Sequence, residues 1–344
     1  MMLIKLSPIN QRRWCIFRQH KRAYWSTWIL AIILCFCVSA EWIANDKPIL
    51  IIYQGEWLFP ILHFYPETHF GGEFATEAEY LDPYVQELLA QATVIWPPLV
   101  SYYDTIHYDL PQAAPSPPDS KHWLGTDDQG RDVLTRVVYG TRISLAFALL
   151  LTLITSSIGI LIGALQGYYA GWVDLIGQRV LEIWSGLPTL FILIILASVI
   201  QPGFWWLLAI MSLFSWPTLV DLVRAETLRC RNLDYVRAAR ALGVSNFSII
   251  RRHILPNAMV ASLTFMPFIF TGAVTTLTAL DFLGFGLPVG EPSLGELLAQ
   301  GKNNLQAPWL GLSAFATLAI LLSLLVFIGE GLRDAFDPRA VFAS

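Results

Sequence analysis

The sequence predicts an all-α polytopic membrane protein of six transmembrane helices, with a mixed insertion between the first two. Three observations carry this. Of the 344 residues, 55% are hydrophobic and only 14% charged, with 13 Trp, a balance that soluble domains rarely show. Apolar runs long enough to cross a roughly 30 Å hydrocarbon layer recur at about 26–44, 143–165, 175–200, 204–224, 257–280 and 311–330. The charges are segregated along the chain, so their placement is more informative than the net charge of −4, because loop charge sets orientation.

Residues 1–25 hold Lys5, Arg12, Arg13, Arg18, Lys21 and Arg22 and no acid, which puts the N-terminus in the cytoplasm. The first span, 26–44, follows directly. Val38-Ser39-Ala40 has the form of a signal-peptidase site, but the long basic region points to an uncleaved span.

The insertion, 45–121, reverses the charge pattern: Asp46 to Asp119 carries eleven acids against one Lys47, and is expected outside the membrane. Tyr53, Trp57, Phe59, Phe64, Tyr65, Tyr80 and Trp96 supply area to bury against ordering entropy. Glu77 to Ala92 reads as a helix. A surface for an external partner and a structural insertion are both open readings, and nothing fixes carboxylate spacing well enough to assign catalysis. Ala114 to Asp119 is a stiff Pro-rich connector.

Segment 122–142 enters the membrane core, 143–334. It reads His122-Trp123-Leu124-Gly125-Thr126-Asp127-Asp128-Gln129-Gly130-Arg131-Asp132, followed by Arg136, Tyr139, Gly140, Arg142 and Ser144. Asp127, Asp128, Arg131 and Asp132 suit a local ion-pair and cap network that sets how the next span starts. His122, alone beside Lys121 and Trp123, is expected to be structural rather than a metal ligand. Gly159 and Gly163 form a small-xxx-small packing pair. Asp174, Arg179 and Glu182 stand at the start of the third span, where a proton relay and an Arg179–Glu182 i,i+3 ion pair compete, the pair being preferred. Pro188 and Pro217 should kink their helices.

Residues 225–256 are the most organised of the polar segments. Arg224 to Arg252 carries seven Arg against Glu226 and Asp234 and is therefore expected inside. Leu233 to Leu242 favours a short helix, which Gly243 can end in a left-handed conformation. Ser245 can cap a second, Asn246 to Ile254, stopped by Pro256. Tyr235, Leu242, Arg251 and Leu255 complete the elbow. Ala238, Ala239 and Ala241 would present small side chains beside Arg237 and Arg240, suiting close approach of another protein's backbone and carboxylates. A plain basic loop is the competing reading. Further on, Asp281-Phe282-Leu283-Gly284-Phe285-Gly286-Leu287-Pro288 and Pro292-Ser293-Leu294-Gly295-Glu296-Leu297-Leu298 form an external Gly/Pro-punctuated segment with a helix capped by Ser293. The tail, 335–344, returns to the cytoplasm.

These segments also carry a resemblance. Arg237-Ala238-Ala239, Gly243 and Ile254-Leu255-Pro256 resemble the EAA coupling loop of permease subunits in ATP-driven importers, with Arg237 where the general pattern has Glu. The 122–144 run resembles the GTDxxGRDxxSR opening of the dipeptide and oligopeptide branch, with Thr135 for Ser. Residues 281–298 and Gly331 to Arg339 are similar to its outer-mouth and closing segments, Leu294 standing for Trp. The resemblance, covering about 120–339, extends to the microcin C type of peptide ABC importer. It implies a type I ABC importer permease fold and alternating access. It also implies a second, related permease subunit, separate ABC ATPase subunits that hold Mg-ATP, and a periplasmic solute-binding protein.

The chain has no phosphate-binding G-x-x-x-x-G-K-[ST] loop and no zinc or serine hydrolase motif. It is therefore expected to be a transport subunit and not an enzyme, without a cofactor, a metal or nucleic acid of its own. Cys15, Cys35, Cys37 and Cys230 form no metal or disulfide pattern. The alternative function is an ion-gradient-driven secondary transporter, against which 187–220 holds no charged residue. An intramembrane enzyme and a membrane scaffold are the remaining rivals.

Overall fold

A computed structural model describes residues 8–197, 199–200 and 203–336. Lys5 and the expected tail from Asp337 through Arg339 to the end lie outside the described residues. In order, the elements are α1 (Pro8–Gln19), α2 (Lys21–Val38), α3 (Ala40–Ile43), β1 (Leu50–Tyr53), β2 (Glu56–Leu58), α4 (Pro83–Leu88), β3 (Thr93–Ile95), α5 (Val133–Tyr169), α6 (Gly171–Ser185), α7 (Thr189–Ala197), α8 (Phe204–Ser215), α9 (Pro217–Cys230), α10 (Asp234–Ala241), α11 (Asn246–Ile249), α12 (Leu255–Phe282), α13 (Leu294–Asn303) and α14 (Pro308–Phe336).

Lys21–Val38, Val133–Tyr169, Phe204–Cys230, Asn246–Phe282 and Pro308–Phe336 are each long and apolar enough to cross a membrane. The pair α6 and α7 makes a sixth crossing if counted as one span, but it is bent by 63°. The single helix expected at 175–200 is thus broken, not merely kinked. The cause is local: Gly186 closes α6 through its N–H to Glu182 O, and Pro188, which lacks an N–H, can only begin the next helix. Pro217 is gentler, because it occupies the first turn of α9, where an N–H has no helical partner anyway.

The chain divides into two compact units. One comprises residues up to Ala31, Leu145–Pro288 and Ala319 onward. Its helices approach closely through glycine: a Cβ at Gly159 would lie 2.9 Å from Trp216 O, and one at Gly163 2.7 Å from Val220 O. The sequence pair extends to a third member, Gly167, where a Cβ would meet Thr227 Cβ at 2.6 Å. This stripe lets α5 lie almost backbone to backbone on α9, the contact that small residues serve in membranes. Asp174 leaves the expected cluster and forms a two-pronged pair with Arg224, Nη2 to Oδ2 at 2.7 Å and Nε to Oδ1. Arg179 and Glu182 pair with each other, as the spacing predicts.

The other unit comprises Ile32–Ser144 and Val289–Leu318. Its sheet, in order β2-β1-β3, is antiparallel and pairs Ile51 with Leu58 and with Val94. Ile51, Leu58, Phe70, Tyr80, Val85 and Leu89 form its core. The helix expected over Glu77 to Ala92 shrinks to α4. Glu77 and Ala78 instead bond back to the 65–66 backbone, and Asp82, which precedes a proline, is held extended. There it caps α4 by accepting the Tyr84 N–H at 2.8 Å.

Candidate functional site

The basic elbow between α9 and α12 closes on itself through complementary local signals. Gly243 has φ +77°, a conformation that costs glycine little. Its N–H donates to Arg240 O, and that of Val244 to Ala239 O, both at 3.1 Å; this pair of bonds terminates α10 as a Schellman motif. Ser245 Oγ then accepts the Ser248 N–H at 3.4 Å and starts α11.

The second elbow helix does not end at Pro256. Residues Ile250–Ile254 form a single π turn that runs into α12, making Asn246–Phe282 one continuous helix. A π turn widens the bonding ring by one residue, and Pro256 follows it in the first turn of α12, past which the helix runs on.

Tyr168, at the end of α5, holds the elbow. Its hydroxyl donates to Asn246 Oδ1 at 2.6 Å, its carbonyl accepts from Arg231 Nη1 at 3.1 Å, and its ring carries the Arg240 guanidinium 5.4 Å above it. Beneath lie Val236, Ala239, Cys230, Ile249 and Ile254. Ala239 therefore faces the core, correcting the expectation that all three alanines line the surface: with 3.6 residues per turn, it shares the face of Val236, while Ala238 and Ala241 stay exposed. Tyr235 is anchored from the side by Asn257 Nδ2 at 3.0 Å, and Leu255 is half-buried.

Leu242, 83% exposed, and Phe247, 72% exposed, project from the turn. Exposed Arg237, Arg240 and Arg251 belong to the same elbow, and among the described residues none of the three forms an ion pair with a carboxylate. An apolar tip on an elbow whose exposed arginines have no carboxylate partner suits an acid-rimmed cleft. Phe247 was missed in the sequence, since a lone aromatic after a cap reads equally well as a core residue.

The signature segment forms a second, buried constellation in the other unit. Arg136 is fully buried and spends its donors on Tyr103 O (3.0 Å), Gly290 O (3.2 Å), Glu291 O (3.0 Å) and Glu296 Oε2 (2.6 Å). Arg131 bridges Asp127 (Nε to Oδ2, 2.7 Å) and Glu296 (Nη2 to Oε1, 3.2 Å). Two guanidiniums thus face two carboxylates, which is the condition for burying such charges. Asp127 also accepts the Gln129 and Arg131 N–H groups, and Asp132 caps α5 by accepting the Thr135 N–H, each at 2.9 Å. Asp128 stays exposed.

Gly125, at φ +73°, lets the chain pass under Trp309, whose Nε1 donates to Thr126 O at 3.1 Å. A Cβ at Gly140 would lie 3.3 Å from the Leu294 nitrogen; Gly130 turns at φ +82°, and Arg142 pairs with Glu41 at 3.1 Å. Ser293 caps α13 as expected. Glu296, the partner of both arginines, was not singled out, because nothing local in the sequence relates it to a segment more than 150 residues earlier.

His122 is buried, with Nδ1 2.9 Å from Asp132 Oδ2, and its ring lies 4.5 Å from that of His107. The Asp132 hydrogen bond raises the His122 pKa above 6.5, whereas burial and then His122 itself lower that of His107. The signs oppose. His122 adds stability that is whole below 6.5 and lost as pH rises through its raised value; His107 subtracts stability as pH falls below 6.5. In His122→Gln the loss of thermal stability on the alkaline side of 6.5 should disappear and the acid-side loss should remain, as read by melting of the detergent-solubilised protein across pH. An unchanged alkaline limb would remove His122 from this role.

Comparison with known proteins places this geometry in context. Residues 158–341 match the family described as "Binding-protein-dependent transport system inner membrane component". Over 336 residues the chain is 60% identical to "Inner membrane ABC transporter permease protein YejE" of Escherichia coli (strain K12), covering 97% of this chain and 98% of that one. It is 53% identical over 361 residues to "Peptidoglycan transport system permease protein YejE" of Agrobacterium fabrum, covering 98% and 94%. It is 37% identical over 229 residues to "Oligopeptide transport system permease protein OppC" of Lactococcus lactis, covering 65% and 78%.

Proposed function

This chain belongs to the family of binding-protein-dependent transport system inner membrane components, and we propose that its 232–256 elbow is the part through which ATP hydrolysis on a separate subunit drives peptide uptake. The chain is a multi-pass inner-membrane transport subunit, the permease of an ATP-driven importer of peptides or peptide-like compounds. The ion-gradient alternative is set aside by that membership. Relatives named for peptidoglycan and for oligopeptide transport support a peptide-bearing substrate, and the resemblance to the microcin C type adds such compounds to the proposed range.

The assembly we propose has a second permease subunit, ABC ATPase subunits carrying Mg-ATP, and a periplasmic solute-binding protein that delivers substrate. Both termini and the elbow face the cytoplasm, and residues 45–121 face the periplasm, in line with the charge segregation. Gly125 through Arg142 have a structural part in this reading, fixing how the chain enters the membrane core.

The observation that carries the reading is the elbow itself, locked from beneath by Tyr168 and outwardly tipped by Leu242 and Phe247. With Cys15, Cys35, Cys37 and Cys230 replaced by serine, a cysteine introduced at Leu242 or Phe247 should cross-link to the co-expressed ATPase subunit in inside-out vesicles through a thiol- and amine-reactive bifunctional reagent. A cysteine at Val236, buried on the opposite face, should not. Equal labelling at Val236, or no adduct at either tip position, would overturn the docking assignment.

A further inference from the structure

We infer that Asp221, on the wall of a cavity beside the α6–α7 break, recognises a primary ammonium group on the peptide in transit; this rests on the peptide-importer reading above. The cavity, about 500 Å³, is lined by Gln178, Glu182, Trp184, Phe214, Thr218 and Asp221 among others. Its two carboxylates differ in their partners. Glu182 is neutralised by Arg179 at 2.5 Å. Among the described residues Asp221 forms no ion pair: Arg224, one turn on, is paired with Asp174 while its charge also reaches Asp221, and Asp221 accepts a 3.3 Å hydrogen bond from Gln178 Nε2.

Asp221 lies within Phe204–Cys230, a helix apolar enough to cross the bilayer. Asp221 is exposed on the cavity wall, the setting in which a carboxylate in a span lines an aqueous path, and among the described residues no side chain forms an ion pair with it. Beside it stands a fixed aromatic wall. Trp184 donates Nε1–H to Leu213 O at 2.9 Å and stacks on Phe214, ring centroids 5.8 Å apart and 25° from parallel. A carboxylate next to a rigid indole face suits a small cation, which gains both charge and ring-quadrupole attraction.

The site falls where two helical interruptions meet, the 63° break and the α8–α9 boundary at Pro217. Broken helices in membranes persist where they line a cavity. A second cavity of about 300 Å³ shares Thr218 and continues past Thr155, Ser215, Phe265 and Phe268, so it offers hydroxyls and apolar faces to the rest of the peptide. An ammonium can come from the peptide's N-terminus or from a lysine side chain.

The test uses the whole importer in proteoliposomes with its binding protein, supplied with ATP and offered three probes: trialanine, N-acetyl-trialanine and N-acetyl-alanyl-lysyl-alanine. The binding protein is common to all arms, so a change between variants reports this chain. Asp221→Asn should reduce the preference for an ammonium-bearing probe over N-acetyl-trialanine by about tenfold, the ratio a ~1.4 kcal/mol contact supplies. Asp221→Glu should keep the preference. Loss confined to trialanine assigns the N-terminus, and loss confined to the lysine probe assigns the side chain. An unchanged ratio in Asp221→Asn, or an equal loss in Asp221→Glu, overturns the inference. Absence of ATP-dependent uptake of every probe by the unaltered importer would instead overturn the peptide-importer reading.

Discussion

Gly243→Val should abolish uptake while leaving membrane insertion and abundance close to those of the unaltered protein. The residue sits at φ +77° with nothing within 4 Å of where a Cβ would stand, so the defect cannot arise from a clash with a neighbour. It is wholly a backbone cost: a left-handed conformation penalises an L-residue by roughly 1–2 kcal/mol, and β-branched side chains tolerate it least. That sum is too small to unfold a membrane protein, yet it is concentrated on the two hydrogen bonds that close α10, Gly243 to Arg240 and Val244 to Ala239. When they open, Leu242 and Phe247 lose their fixed direction. Gly243→Asn is the control, because asparagine enters the left-handed region more readily, and it should retain a large part of the uptake. Transport of a labelled peptide by vesicles of matched permease content reads both. Normal transport in the valine variant would separate the elbow from energy coupling.

Arg136→Met should be the most destabilising single change in the signature segment. It leaves the Glu296 carboxylate facing Arg131 alone and strips Tyr103 O, Gly290 O and Glu291 O of their donors. Removing one partner of a buried ion pair costs about 3–5 kcal/mol. The exposed Lys121–Asp109 pair, 2.6 Å apart with side chains 71% and 62% exposed, is a comparison on the same unit. Lys121→Met should leave the melting temperature close to that of the unaltered protein. Adding Glu296→Leu to Arg136→Met should recover part of the loss and not all of it, since the three carbonyls remain unmet. Melting temperatures and membrane abundance of the four proteins check this ranking. An Arg136→Met protein as stable as Lys121→Met would show that the buried network holds nothing together.

What could be read before the structure divides along a physical line. Signals written within a few residues came through: the Ser245 and Asp132 caps, the left-handed Gly243, the Arg179–Glu182 pair and the apolar spans. Signals that depend on a partner far along the chain did not. Glu296 belongs to a cluster with Asp127, Arg131 and Arg136, but its local context speaks only of the first turn of α13. Gly167 and Thr227 touch because α5 lies on α9, which a helix period cannot reveal. Ala239 was assigned outward from composition alone, whereas its register with Val236 turns it inward. Proline was the least legible residue. Pro188 and Pro217 both read as kinks, yet one breaks a span and the other opens a turn, and Pro256 ends nothing because the π turn before it takes up the extra residue.

That π turn has a mechanical consequence. Asn246–Phe282 becomes a connecting rod of 37 residues, about 55 Å long at 1.5 Å per residue, continuous from the elbow's tip to its far end. Its weakest station is Pro267, whose carbonyl is drawn toward the Thr271 hydroxyl at 2.8 Å. In the coupling reading proposed above, a stroke of a few ångströms at Asn246 is expected to be spent as tilt about that station, so stiffening or loosening position 267 should change how far the far end swings without touching the place where the push is applied.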